Sequence, residues 1–494
     1  MSMLPTDAPP LSVETRQAAR SALQLGLSLF ATWSVALVVR LFLPRHLGPH
    51  DFGSYSFAEG LAATLMAFLS FGVDSYTLRE LPTRPAHASD YFGGMVVLRS
   101  LLGALLLAAL AVALPSTGID ALATRLSVVF ALGYLITGIA QLLSAFLQAN
   151  ATVGHLAIVN VAAKLAWGAA IGGALLQGWP LELVAGAFVL SEALKAALLF
   201  LEARARVGLS FRVDVAATSA VVVASLPFFA NSVALNLNRL DVTVLGFISG
   251  EQEVGWYSAA SSFSLLIFML APLMGSVVLP MLARLQARSA GDFERVMGRL
   301  TQGLVVIAMP LALMVALGAD LWVRVAFGAA FGPAAASLRV LAALAVLSYL
   351  TSLLSMALIT LDRRWTVTLT SLVGLVINPL LCLLFIPPCA RLFGPGGAGA
   401  GAGLGVVGME VMVIALQLRS VGPSILGPRA LSVAGRCLLA CALVIGLHLL
   451  TARLGYLRLP LDAVAYAIVA LALGVLPVRQ LLGLAREVLA SRRA

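Results

Sequence analysis

Charged residues are scarce: Asp, Glu, Lys and Arg make up 11% of 494 residues, while 61% are hydrophobic. Soluble domains carry roughly 25% charged residues, so this composition excludes one and leaves a polytopic membrane protein. Lysine is rarer still, with only Lys164 and Lys195, both inside apolar runs. Cysteine is limited to Cys382, Cys389, Cys437 and Cys441, without CxxC spacing or histidine companions. Neither a zinc site nor a disulfide framework is suggested, and packing as small hydrophobes is the expectation. The histidines, His46, His50, His87, His155 and His448, are dispersed. No metal-ligand spacing and no nucleophile, base and acid constellation is present, so no metal and no cofactor is expected. Gly403, Gly405 and Gly408 spell GxGxxG, but in an apolar run with no strand before it; close helix packing is the better reading.

Long apolar runs are what the chain has instead. About 18 or more apolar residues span a hydrocarbon core of about 30 Å as a helix, and lipid forces such runs to be helical; the alternation of barrel strands is not evident. Punctuation by turns and charges predicts about fourteen spans, near 22–43, 57–76, 93–114, 127–148, 155–177, 182–201, 218–248, 257–282, 301–322, 338–360, 366–387, 397–418, 433–451 and 460–478. The first follows an Arg16/Arg20 flank and is too long for a signal-peptide core, so it is read as retained. About 20 arginines fall at the termini or in even-numbered connections and about 7 on the other side, which predicts cytoplasmic termini. The net charge of +10 then reflects positive-inside topology and affinity for membrane lipids, with no nucleic acid expected as a partner.

The segment LGPHDFGSYSFAEG (47–60) is written again, loosely, as SGEQEVGWYSAASS (249–262), at an offset of about 202 residues. Gly48 falls on Gly250, Gly53 on Gly255 and Tyr55 on Tyr257. The copies lie six spans apart, an even offset that gives them the same orientation. The expected architecture is all-α, with two parallel six-helix lobes and two C-terminal helices. Its parts are a cytoplasmic N-terminus (1–21), an N-lobe (22–207), a C-lobe (215–418), and spans 13–14 with the C-terminus (430–494). Such repeats belong to transporters working by alternating access, and the four glycines Gly48, Gly53, Gly250 and Gly255 are candidate turn or gate positions at the outer rim.

RLFLPRHLGPHDFGSYSFAEG, GVDSYTLRELPTRPAHASDYFGGMVVLRSLLGALL, LPFFANSVALNLNRLDVTVLGFISGEQEVGWYSAASSF, FGAAFGPAAASLRVLA and FIPPCARLFGPGGAGAGAG follow one another along the chain. In this order and spacing the sequence resembles the polysaccharide-transporter branch of the multidrug/oligosaccharidyl-lipid/polysaccharide exporter superfamily, spans 1 to 12 best. The resemblance implies a flippase of the bacterial inner membrane for undecaprenyl-diphosphate-linked oligosaccharide, of the kind serving lipopolysaccharide or exopolysaccharide synthesis. The implied partners are the lipid-linked oligosaccharide, membrane lipids and the polysaccharide polymerase machinery.

A flippase must carry a diphosphate through hydrocarbon, so cations inside spans are the first candidates. They are Arg40, Arg99, Lys164, Lys195 and Arg239, each costing on the order of 2.5–3.5 kcal/mol at a span centre unless it snorkels, pairs or faces water. Arg40 and Lys195 lie near predicted span ends and are expected to reach an interface; Lys164 and Arg239 are deeper. Asn231 and Asn238 fall on one face of span 7, with Asp241 about 60° round, a stripe suited to sugar hydroxyls or to interhelical bonds. Glu192, three residues before Lys195, is placed to pair with it. Glu410 is alone in span 12, Glu59 lies nearer the rim of span 2, and a buried carboxylate of this kind is a candidate for proton coupling. Competing functions are a peptidoglycan lipid-precursor flippase, a drug/cation antiporter of the same superfamily, and a membrane polymerase or ligase of lipid-linked sugars. The short outer loops weigh against an enzyme.

Overall fold

The computed structural model describes residues 13–82, 84, 88–150, 153–236, 239–268 and 271–475. Among them the fold is all-helical, without strands. The helices are α1 (Val13–Met66), α2 (Val73–Glu80), α3 (Ala88–Ala113), α4 (Ala121–Ala149), α5 (Val153–Leu176), α6 (Leu181–Val207), α7 (Val215–Asn236), α8 (Leu240–Ile248) and α9 (Glu251–Phe268), followed by α10 (Ala271–Arg288), α11 (Ala290–Leu317), α12 (Ala319–Phe327), α13 (Ala334–Leu341), α14 (Leu344–Thr360), α15 (Arg364–Phe393), α16 (Gly397–Val421), α17 (Gly427–Leu450) and α18 (Arg458–Ala472).

Every predicted span has a helical counterpart. Eleven segments among the described residues are long and apolar enough to cross a membrane. The first, Ser28–Ser70, holds spans 1 and 2, and the other ten hold spans 3–6 and 9–14. Span 7 corresponds to α7 and α8 and span 8 to α9 and α10, described up to 236 and from 239, and up to 268 and from 271.

Span 7 is therefore not the continuous helix expected over 218–248. Arg239, the N-cap of α8, has φ −123° and ψ 15°, outside helical geometry. The wheel that put Asn231, Asn238 and Asp241 on adjoining faces does not cross that break. Asn238 lies outside the described residues, and of Asn231 only its place in α7 is described.

Spans 1 and 2 form a helical pair inside α1, bent at Gly48 (φ 77°, ψ 172°). Glycine adopts this φ without a Cβ penalty, and the following Pro49 disfavours helical geometry at the residue before it while suiting a helix start. Span 2 breaks again at Phe71 and Gly72, both left-handed, between Ser70 and α2.

Compactness divides the chain into one unit of residues 1–39 and 61–236 and another of 40–60 and 237–494. Helix α7 belongs to the first: a Cβ on Gly93 would overlap the Arg212 backbone, and one on Gly94 the Thr218 hydroxyl. The six-helix lobes are a statement about pseudo-symmetry, which compactness does not test. The first unit is cored by Tyr91, Phe92, Met95, Leu143 and Phe146. The second holds one cluster around Leu282, Met297 and Leu353 and another where α11, α17 and α18 meet around Cys437 and Val444. Leu101, Leu105 and Val112 of α3 are by contrast more than half exposed, as lipid-facing side chains are.

Candidate functional site: an arginine pair on one carboxylate

In the second unit, Arg40 and Arg239 converge on Glu59. Arg40 Nη2 lies 3.4 Å from Glu59 Oε1, and Arg239 Nη2 donates to the other oxygen, Oε2. The side chains are 31%, 15% and 20% exposed for Arg40, Arg239 and Glu59. Two guanidiniums thus share one carboxylate in a half-buried setting. Helix α1 runs past the expected end of span 1 up to Gly48, so Arg40 sits about 12 Å from that turn at 1.5 Å per residue, and Arg239 about 15 Å from Ser249. Glu59 is a comparable distance along the second arm. Interface for Arg40 and rim for Glu59 were the expectations; the helix continues beyond Pro44, so the two stand eight and eleven residues from the bend at Gly48, where they pair.

The two copies of the repeated motif touch each other beside this cluster. A Cβ on Gly53 would overlap the Glu251 carbonyl and lie 3.0 Å from Gly255 N; one on Gly255 would overlap the Pro49 carbonyl and lie 3.2 Å from Gly53 N. Equivalent glycines allow this reciprocal crossing. Gly48 and Gly250 make no such contact. Gly48 is the bend, and Gly250 precedes α9.

The remaining charged candidates have partners close at hand. Asp241 accepts from the buried Tyr257 hydroxyl. Glu253 accepts from the Gly396 and Gly399 amides (2.7 and 3.1 Å), capping α16. Glu192 and Lys195 form the expected pair at 3.1 Å. Lys164 Nζ stands 3.6 Å over the centroid of Trp167, a cation–π contact at i, i+3. Arg99, 1% exposed, donates to Gly138 O at 2.5 Å, Ser70 O at 2.7 Å and Asp74 at 3.3 Å. It fills a carbonyl orphaned where span 2 breaks. Glu410 accepts from Thr351 Oγ1 at 2.6 Å and Ser348 Oγ at 3.3 Å, partners on α14 that no local pattern in span 12 foretold.

Sequence reasoning missed a buried pair in the C-terminal hairpin: His448 Nδ1 and Asp462 Oδ2 are 2.5 Å apart, with Asp462 fully buried. The two are 14 residues apart across a turn, and only the presence of both ionisable groups at facing ends of spans 13 and 14 hinted at it.

A family model described as polysaccharide biosynthesis protein matches residues 18–286, more than half of the chain. The chain belongs to that family. This polysaccharide biosynthesis family member returns no match among curated protein sequences. Among solved structures it is similar to the lipid II flippase MurJ in an inward closed conformation, with a TM-score of 0.69 at 13% identity over 93% of this chain and all of that one. It is also similar to an inward-facing multidrug resistance MATE family transporter (TM-score 0.61, 14% identity, 82% of this chain and 96% of the other). A third is a transporter of the same superfamily from Pyrococcus furiosus (TM-score 0.55, 14% identity, 82% and 95%). The family member therefore has the fold shared by these exporters and is a multi-pass membrane protein.

Proposed function

We propose that the protein flips undecaprenyl-diphosphate-linked oligosaccharide repeat units from the cytoplasmic to the periplasmic leaflet of the bacterial inner membrane, by alternating access and with both termini cytoplasmic. The convergence of Arg40 and Arg239 on Glu59 carries this reading. A diphosphate offers more acceptor oxygens and more negative charge than one carboxylate, and guanidiniums bind it as forks. Glu59 acts as its stand-in: it neutralises the cations while the carrier is empty, yields when the diphosphate enters, and returns when it leaves. Arg239, at a helix break, needs little rearrangement to turn toward a ligand. Lys164 serves as a point-charge contact, while Arg99 and Lys195 hold the fold through their internal partners. The Gly53/Gly255 crossing is the gate that parts on the periplasmic side. Product passes to the polysaccharide polymerase machinery.

The test is flipping of a fluorescent undecaprenyl-diphosphate oligosaccharide in proteoliposomes. Arg239→Ala is expected to lower lipid affinity by about 10-fold or more, the size of one lost charge-assisted hydrogen-bond set of about 1.5–3 kcal/mol, and Arg40→Ala by less. Undiminished flipping by the double variant would overturn the role given to the pair. Flipping of a peptidoglycan precursor in preference to the repeat unit would move the assignment to that substrate.

A further inference from the structure

Glu410 lies about 20 Å along α16 from Gly397 and about 16 Å from Val421 at 1.5 Å per residue, the middle of span 12. Its carboxylate is bonded by two neutral hydroxyls, Thr351 at 2.6 Å and Ser348 at 3.3 Å. Among the described residues no Lys, Arg or His stands within ion-pair distance of it. Around its level α15 presents Gly374 to Met409 and Leu381 to Gly408, and neither ionises. On α14, Tyr349 adjoins Ser348 about 100° round the helix. The ionisable groups of α8, α9 and α13 belong elsewhere. Asp241 is bonded by Tyr257, Glu253 by the start of α16, and Arg339 by Asp320; Glu251 opens α9. Tyr257 packs at Gly399, eleven residues from Glu410, and Cys382 at Gly405; Arg364, Arg391 and Cys389 lie toward the ends of α15.

Toward the other end of α16 the polar line continues. Gln417 Nε2 donates to Ser355 Oγ at 3.0 Å and to Thr370 Oγ1 at 3.4 Å. The residue is 1% exposed, and its Oε1 has no hydrogen-bond partner among the described residues; because both neighbours are hydroxyls, the amide can donate to them or, turned over, accept from them.

We infer that Glu410 is a proton-binding site that loads and unloads once per transport cycle, with Ser355, Thr370 and Gln417 lining the route by which the proton reaches it. A carboxylate takes a proton from hydronium, giving a carboxylic acid and water. Hydroxyls suit both states, because Ser348 and Thr351 donate to the carboxylate, and when it is protonated Thr351 accepts while Ser348 still donates. A lysine or arginine partner would hold the charge fixed; its absence lets the charge change at the centre of a span, where a lone ion is costly. The coupling, though not the protonation, rests on the flippase reading.

The experiment has two readouts on the full-length protein. In nanodiscs without substrate, infrared difference spectra between pH 5 and pH 9 should show a protonated-carboxyl band that titrates, is lost in Glu410→Gln, and changes frequency in Thr351→Val. A band unaffected by both substitutions overturns the proton site. In proteoliposomes an imposed pH gradient should change the flipping rate several-fold in the unaltered protein and leave Glu410→Gln unresponsive. A rate that follows a sodium gradient and ignores the pH gradient overturns coupling. Absence of flipping by every version, with the band intact, removes the flippase reading and keeps the site. If Glu410→Gln fails to fold, Glu410→Asp supplies the same spectral test, because the shortened carboxyl must shift the band.

Discussion

Arginine does two different jobs in this chain, and the difference is decided by how many of its donors are already spent. Arg99 is fully buried and gives its guanidinium to two carbonyls and Asp74, so removing it orphans acceptors in lipid. Arg99→Ala should lower stability by about 3 kcal/mol, the scale for breaking a buried charge pair, measured as a fall in melting temperature in detergent; Arg99→Lys should not restore it, because an ammonium lacks the fork that reaches Gly138 and Ser70 together. Arg40 and Arg239 share one carboxylate instead, which makes Glu59 the sensitive position. Glu59→Gln leaves two cations facing a neutral amide. The empty protein should melt earlier than the unaltered one, and added diphosphate lipid should raise its melting temperature by more than it raises that of the unaltered protein, since ligand then supplies the countercharge that Glu59 no longer does. An equal shift in both would show that Glu59 and the lipid do not compete.

At the scale of elements, the repeated motif does its work through close approach. Gly53→Ala and Gly255→Ala each push a methyl into a carbonyl of the facing copy, a backbone clash that neither helix can relieve by rotating a side chain. Each should cost about 1–3 kcal/mol. Gly250→Ala meets open space without a positive φ and should be nearly neutral, whereas Gly48→Ala must hold φ 77° with ψ 172°, a region essentially reserved for glycine, at about 1–3 kcal/mol. Thermal melts of the four single variants separate these outcomes. The motif itself was legible, because turn chemistry and glycine spacing are local, and so were the spans and the Glu192–Lys195 pair, which share one helix turn. What stayed hidden were the partners of charges brought together by packing: Glu59 for Arg239, 180 residues away, Ser348 and Thr351 for Glu410, and Asp462 for His448. The non-helical backbone at Arg239 was hidden differently. Apolar residues on both sides carried the hydropathy through, and the polar cluster NLNRLD, which contains Arg239, was read as a stripe along one helix.

For the whole molecule, the orientation of spans 7 and 8 is the decisive question. If the pieces α7–α8 and α9–α10 each cross the membrane, residue 250 lies on the outer side and residue 289 on the inner. If neither crosses, the parity of the remaining spans is unchanged, yet residue 250 returns to the same side as 289. Arg284, Arg288, Arg295 and Arg299 flank Ser289, and this density of cations holds a connection on the cytoplasmic side. Both positions are exposed, and Gly250 has room for a side chain. The four native cysteines lie within helices, three of them buried, so background labelling is low. Gly250→Cys should react with a membrane-impermeant maleimide on intact cells, and Ser289→Cys only after the inner membrane is opened. Equal protection of both would mean that spans 7 and 8 stop short of crossing, and would separate Arg239 from the mid-bilayer depth on which its pairing with a diphosphate depends. Labelling of Ser289→Cys alone on intact cells would instead invert the whole chain, placing the arginine-rich connections outside against the positive-inside bias.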